Sequence, residues 1–339
     1  MDPIVPNLST ASVVPYLPVS RYRFTFDSLF DGKWPRYSGS MWRGAFGRAL
    51  KHALCVMEEP TACEECTHLR SCLYPYLFKT PVPENAKKLR RYPNAPPPYI
   101  IEPVQGFTTA QRGQILSVDL VLVGRANQYL SLVIQAMRHA GLLGLGWGFK
   151  KLNLVQVSQQ QPDSPKWQPV FELKDGSLAT ATPEAPQTPT PEPRNDNTVA
   201  LRFHSALKLR CRGKYLGSDD VEFRDILSTL LRRISMLSYF HTSQPFETDF
   251  AGLVQAAQNV RIVKRTLAPR PWARYSTAQQ KPIRMDGSIG EIVAEGDELD
   301  RFWPLLWLGQ WTHVGKGASM GLGGYTLIDN GKLAVTDNG

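Results

Sequence analysis

Apolar and polar positions alternate from Arg21 to Phe26, with Tyr22, Phe24 and Phe26 on one side, and a period of two predicts a half-buried strand. The period then lengthens. Between Ser40 and about Leu54, Trp42, Phe46, Leu50 and Leu54 recur every four positions, which predicts a helix capped by Ser40 with Gly44, Arg48, Lys51 and His52 on its polar side. Gly44 and Gly47 each cost about 1 kcal/mol there relative to alanine, so another backbone is expected to approach them closely. Strands are predicted again at Tyr99 to Ile101 and Ile115 to Val123. A helix follows from a cap at Asn127 to about Ala140, ended by Gly141, and then a strand from Leu152 to Val157. The order β, α, β, β, α, β is the ferredoxin-like pattern, two helices on one face of a four-stranded antiparallel sheet.

The same order recurs. A strand is predicted at Val199 to Leu209, a helix from Asp220 to about Phe240, strands near Val260 to Leu267 and at Ser288 to Glu295, a helix near Leu299 to Gln310 and a strand at Tyr325 to Ile328. Phe24 and Phe203 are 179 residues apart, the helix starts Ser40 and Val221 are 181 apart, and His139 and His313, each before a glycine-rich turn, are 174 apart. Similar offsets at three places predict a duplicated unit. The expected architecture is therefore α+β: two tandem ferredoxin-like domains at 19–160 and 199–330. A cysteine-rich insertion at about 55–98 interrupts the first. The 161–198 segment joins them, and within it residues 176–198, rich in Ala, Thr, Pro and Glu, read as a flexible linker.

Composition sharpens this picture in two places. The chain of 339 residues carries a net charge of +9, and residues 200–285 alone hold 15 Lys+Arg against 6 Asp+Glu, so the whole surplus lies in the second half. A basic surface of that size suits a polyanion, because each phosphate contact releases counterions. No apolar run approaches the ~20 residues of a membrane span, and no secretory signal is evident at Met1 to Ser20, so the cytoplasm is the expected compartment. Of five cysteines, Cys55, Cys63, Cys66 and Cys72 are clustered, with one Cys-x-x-Cys among them. Four thiolates can close a tetrahedral zinc that orders a loop poor in apolar residues. A structural zinc is the favoured reading, with an iron–sulfur cluster and unliganded cysteines as alternatives.

The segment His313-Val-Gly-Lys-Gly-Ala-Ser-Met-Gly-Leu-Gly-Gly-Tyr325 holds five glycines after a helix and before a strand. A dinucleotide fingerprint has the opposite context, and a Walker A loop needs a hydroxyl where Gly317 stands, so no nucleotide cofactor is indicated. What remains is a backbone surface on which the amides around Gly315, Gly317 and Ser319 can reach a phosphate chain, with Lys316 adding charge.

Trp42-Arg-Gly-Ala-Phe-Gly-Arg-Ala-Leu50 leading into the cysteines, Arg270-Pro-Trp-Ala-Arg-Tyr-Ser276, and the loop from His313 to Tyr325, set on the tandem ferredoxin-like pattern, together resemble the CRISPR RNA processing endoribonucleases of the RAMP superfamily. The resemblance covers the chain from about Ser20 to Leu327, except residues 176–198. It implies metal-independent cutting of a CRISPR repeat transcript. The 2′-hydroxyl attacks the adjacent phosphate, leaving a 2′,3′-cyclic phosphate and a 5′-hydroxyl. That reaction needs a base, an acid and positive charge beside the phosphorane, and histidine suits either proton role. Family members often carry the catalytic histidine on or near the first helix, with a tyrosine upstream. On this chain those positions are His52 and Tyr37, with Arg48 one turn before His52 and Lys51 beside it as phosphate contacts. His313 is the runner-up. Lys316 and the loop amides, Arg270, Arg274 and Lys281 are the expected RNA contacts, with stacking on Trp272 or Tyr275. The family also contains RAMP subunits that hold guide RNA without cutting, and that is the rival reading. CRISPR repeat RNA and other CRISPR-associated proteins are the expected partners, and no cofactor is expected for catalysis.

Overall fold

Strand β1 (Val19–Ser28) is the axis of the first half of the computed structural model, which describes residues 14–57, 62–90, 92–103, 108–146, 148–174, 177–194, 196–276 and 281–328. It is followed by helix α1 (Gly39–Leu54), β2 (Tyr99–Pro103), β3 (Ile115–Val123), helix α2 (Leu130–Leu143) and β4 (Leu152–Gln160). β1 lies between β3 and β4, antiparallel to both, and β2 pairs with the far edge of β3. Alternation along β1 sends Tyr22, Phe24 and Phe26 to one face, where with Val118, Leu120 and Leu122 they meet Trp42, Phe46 and Leu50 of α1 and Val133 and Met137 of α2. Burying each such side chain contributes about 1.5–3 kcal/mol. The glycine-bearing α1 is thus held by packing rather than by propensity.

The second half repeats the plan with β7 (Thr198–Leu207), α3 (Phe223–His241), β10 (Arg261–Arg265), β14 (Gly287–Glu295), α5 (Leu299–Thr312) and β15 (Tyr325–Ile328). β7 lies between β14 and β15, and β10 pairs with the outer edge of β14. Both halves therefore have the ferredoxin-like order, last strand, first, third, second, and the α+β expectation holds.

Several local expectations do not. The 161–198 segment adds β5 (Gln168–Lys174) and β6 (Ser177–Thr180) to the edge of β4. The chain then returns along β1, where Gln187 and Val19 exchange backbone hydrogen bonds and Gln159 and Gln161 bind the carbonyls of Glu184 and Ala185. Its lack of large apolar residues had read as flexibility; backbone and amide hydrogen bonds fix it instead. Helix α2 runs through Gly141 and stops at Gly144, whose φ of 92° ends it. Asn127 caps nothing. Its amide donates to the carbonyls of Leu122 and Gly124 and its oxygen accepts from Tyr22 Oη. Gly47 does face a close neighbour, but this is the Phe78 ring of the insertion rather than a backbone, and only the Arg48 side chain lies near Gly44.

The two units share a core. Val19, Ile100, Val121 and Val123 of the first sheet belong to the same hydrophobic core as Ile226 and Leu230 of α3 and Leu305 of α5. The insertion bridges the units as well: Ala86 and Ala95 pack on Phe240, and the Lys88 ammonium donates to Ser235 Oγ and pairs with Glu247. Between β7 and α3 lies a short hairpin, β8 (Arg210–Cys211) and β9 (Lys214–Tyr215). After α3 come α4 (Phe250–Ala256) and β11 (Ala268–Arg270), which extends onto β14. A second hairpin, β12 (Ala273–Ser276) and β13 (Lys281–Arg284), follows β11. No helix among the described residues is long and apolar enough to cross a membrane.

Candidate functional site

Helix α1 carries the first part of the site at its C-terminal end. Arg48 and His52 are exposed and Lys51 is half-buried, so all three expected polar residues are presented there. Helix α2 packs alongside α1 and brings His139 to His52, with ring centroids 5.0 Å apart and planes at 78°. This pairing was missed in the sequence because His139 reads as the counterpart of His313. The period of α2 holds the signal: His139 lies two residues after buried Met137 and one before buried Ala140, at the edge of the buried stripe. A pair of imidazoles at this spacing can supply a base in its neutral form and an acid in its protonated form.

Tyr37 is elsewhere. It precedes α1, and thirteen helical steps at 1.5 Å put His52 about 20 Å from Gly39 along the axis. The Tyr37 phenol donates to the Met320 carbonyl at 2.5 Å, its ring lies 4.9 Å from Trp272, and burial pushes its ionisation far up. It therefore cannot act with His52 on one phosphate, and it ties α1 to the glycine-rich loop. Trp272 is committed to the same cluster, beside Met320, Leu322 and Met285, rather than offered for stacking. Arg270 is exposed at the end of β11. Arg274, Tyr275 and Lys281 stand on the β12–β13 hairpin, and their side chains lie outside the described residues.

The glycine-rich loop is partly buried, with Lys316 exposed and Gly315, Gly317 and Ser319 half-buried. The amides of Val314, Lys316, Met320, Gly321, Leu322, Gly323 and Gly324 all donate to acceptors within the protein, a set that leaves out the amides of Gly315, Gly317 and Ser319. Gly315, Gly317, Gly321 and Gly323 all have φ between 68° and 95°, and a Cβ on Gly321 or Gly323 would collide with the carbonyl of Ile101 or Val314. Ser319 is half-buried in the turn at Ala318–Met320. His313 closes α5 with φ 57° and hydrogen-bonds Glu102 at 2.8 Å, across the boundary between the units. Arg21 holds the same carboxylate at 2.8 and 3.3 Å and lies over Trp311. Burial alone would raise the ionisation of Glu102, but Arg21 and His313 outweigh it and hold it at about 2. His313, the runner-up for catalysis, is thus a buried clasp. His241 is also spent: its Nε2 meets the Pro96 carbonyl at 2.8 Å, and burial pushes it down to about 4, so it is neutral.

Lys316 alone of the loop residues named as RNA contacts reaches outward. Its ammonium donates to Tyr215 Oη at 2.6 Å, and its amide binds the Lys208 carbonyl.

The four clustered cysteines line one cleft without being gathered around a common point. Cys55, Cys63, Cys66 and Cys72 line one cleft of about 220 Å³ together with His68, yet among the described residues no three His, Cys, Asp or Glu side chains converge to hold an ion. Cys63 and Cys72 turn toward the core of the first unit, while Cys55 is exposed. The residues as arranged do not fit the expected zinc. Ion pairs Lys79–Glu64 at 2.5 Å and Arg70–Glu84 at 2.7 Å fasten this segment instead.

Comparison with known proteins finds a likeness in each half of the chain. Residues 201–325 match the family model described as CRISPR-associated endoribonuclease Cas6, and residues 17–183 match a second model described as an N-terminal domain. A Cas6 product complex superposes with a TM-score of 0.54 at 16% identity, over 91% of this chain and 100% of that one. The Cas6-containing chain of a partial Cas6-RT-Cas1–Cas2 complex superposes at 0.51 and 13% identity, over 94% of this chain and 47% of that one. At these identities both likenesses speak for the fold. An uncharacterized protein of Archaeoglobus fulgidus is 30% identical over 124 residues, 37% of this chain, and the match spans 40% of the length of that curated relative.

Proposed function

We propose that this protein cuts CRISPR repeat transcripts into guide RNAs by metal-independent transesterification. The observation that carries the reading is the His52–His139 pair at the open end of α1, with Arg48 one turn away and Lys51 adjoining. One imidazole takes the proton of the 2′-hydroxyl as its oxygen attacks phosphorus. The bond to the 5′-oxygen then breaks, and the second imidazole, as imidazolium, returns a proton to that leaving oxygen. Arg48 and Lys51 offset the charge that builds on the non-bridging oxygens. The products are a 2′,3′-cyclic phosphate and a 5′-hydroxyl. RNA and other CRISPR-associated proteins are the proposed partners, a reading supported by the likeness to a Cas6 product complex and to a Cas6-RT-Cas1–Cas2 complex.

The test is incubation of the purified protein with its host's repeat RNA in excess EDTA, with product ends identified by mass spectrometry. Cutting to a cyclic phosphate is expected, and cutting that appears only with added magnesium overturns the mechanism. One observation favours a second reading, an RAMP subunit that holds guide RNA without cutting it. The Tyr37 phenol is buried and bound to Met320, so the tyrosine expected upstream is not at hand for chemistry. Tight binding of repeat RNA with no product under any condition would select that reading.

A further inference from the structure

The surplus charge of the second half has a focus that neither the two histidines nor the clasp uses. Tyr215, at the end of β9, is 47% exposed. Three cations from two stretches of the chain stand around its ring: the Lys208 ammonium 4.4 Å from the centroid, the Lys316 ammonium 5.3 Å away and the Arg210 guanidinium 5.9 Å away. Their hydrogen-bond partners are all neutral. Lys316 donates to the phenol, Lys208 to the Arg284 carbonyl at 3.4 Å and Arg210 to the Gly213 carbonyl at 2.8 Å.

The arrangement is built rather than incidental. Arg212 (φ 46°) and Gly213 (φ 86°) make the two-residue turn that folds β8 onto β9 and pairs Arg210 with Tyr215 across the strands. The Lys316 amide bonds the Lys208 carbonyl, and a Cβ at Gly315 would strike that same carbonyl, so the glycine-rich loop is held against the end of β7. Like charges crowded at one ring with neutral partners are unfavourable by themselves, and an anion relieves them. An exposed aromatic face beside them adds a second element of recognition, since every nucleobase has a π-face and stacks on such a ring without regard to sequence.

We propose that Tyr215 is a stacking platform for an unpaired nucleobase, with the phosphates on either side of that nucleotide held by Lys208, Arg210 and Lys316. The ligand class is a single-stranded stretch of RNA, and the proposal rests on the reading of the protein as an RNA-binding member of its family. The glycine-rich loop then has a distinct role. It contributes one lysine to the platform, whose own amide is anchored on the Lys208 carbonyl.

The probe is a fluorescein-labelled single-stranded oligouridine of about twelve nucleotides, within the usual site size for such surfaces. Its binding to the full chain is followed by anisotropy across a range of salt. Tyr215→Ala and the bulkier Tyr215→Leu are expected to weaken binding about tenfold with an unchanged salt slope, and Tyr215→Phe to bind as the wild type does. Lys208→Gln and Lys316→Gln are each expected to flatten the slope by roughly 0.7, the loss of one phosphate contact to a single strand. Wild-type affinity in Tyr215→Leu overturns the platform, and so does equal weakening in Tyr215→Phe, which would trace the effect to the Lys316 hydrogen bond. If the wild type binds and cuts repeat RNA while the leucine variant binds as tightly, the platform falls and the proposed function stands. If the wild type binds no RNA, both fall.

Discussion

At the scale of single residues, position along α1 separates chemistry from architecture. His52 is exposed and has an imidazole neighbour, while Tyr37, about 20 Å back along the helix, is buried in hydrogen bonds and ring contacts. His52→Ala is therefore expected to lower the cleavage rate by about 100-fold or more, and His139→Ala by a comparable factor, with Tm unchanged. Tyr37→Phe is expected to do the reverse, leaving the chemical step near wild type and costing about 1 kcal/mol of stability. Single-turnover rates and thermal melts read the two effects separately. Glu102 offers a test by pH. Its ionisation in the folded chain, at about 2, lies below the ordinary 4.5, so the folded state binds that proton less readily than the unfolded one. The resulting stability is present above about pH 4.5 and is lost as pH falls toward 2. Glu102→Gln is expected to cost roughly 2–4 kcal/mol at neutral pH, because Arg21 and His313 lose their charged partner, and to shallow the acid limb of the stability curve. Chemical denaturation between pH 2 and 7 reads both. The Tyr215 phenol is held below its ordinary value, first by the hydrogen bond from Lys316 and then by the charges of Lys316, Lys208 and Arg210. The absorbance change at the phenolate band that is absent from Tyr215→Phe is expected to appear below pH 10.

At the scale of elements, the pattern of the sequence encodes structure where burial sets the period and encodes less of it where polar groups set the structure. The strand and helix cores of both units stand where alternation and four-residue spacing put them, since each presents one apolar face to one core. The 177–190 segment has little to bury, and its order comes from Gln159, Gln161 and the edge of β1, residues distant in sequence. The β12–β13 hairpin is not predicted by the sequence, because strands of four residues are too short to show a period. The glycines of α1 make the same distinction. Gly44→Ala is expected to stabilise the protein by about 0.5–1 kcal/mol, the helix propensity gained with only Arg48 nearby. Gly47→Ala, facing the Phe78 ring, is expected to cost about 1–3 kcal/mol through overpacking. Denaturation midpoints of the two variants should move in opposite directions.

At the scale of the whole molecule, Val19, Ile100, Val121 and Val123 share one hydrophobic core with α3 and α5, so the two units are expected to unfold together. Calorimetry is expected to show one transition, and a fragment of residues 198–328 is expected to expose that face and aggregate. The end of α1 bearing His52 and the end bearing Gly39, where the glycine-rich loop begins to pack, are about 20 Å apart. A single strand spans that length with about six stacked nucleotides at 3.4 Å each. A substrate that touches both ends therefore presents an extended stretch rather than one phosphate.

The sequence by itself determined the duplicated α+β plan, the family resemblance, the basic second half and the polar end of α1, because periodicity, charge and local motifs are properties of neighbouring residues. Only the tertiary structure decided which of those residues meet. It brought His139 to His52, and it withdrew Tyr37, Trp272 and His313 into the boundary between the units. It spread the four cysteine thiols around a cleft without gathering them, and it turned Lys316 outward to Tyr215. Those pairings join residues up to 283 positions apart, as between Tyr37 and Met320. Distances of that kind are set by how two sheets and their helices pack, which no local pattern encodes.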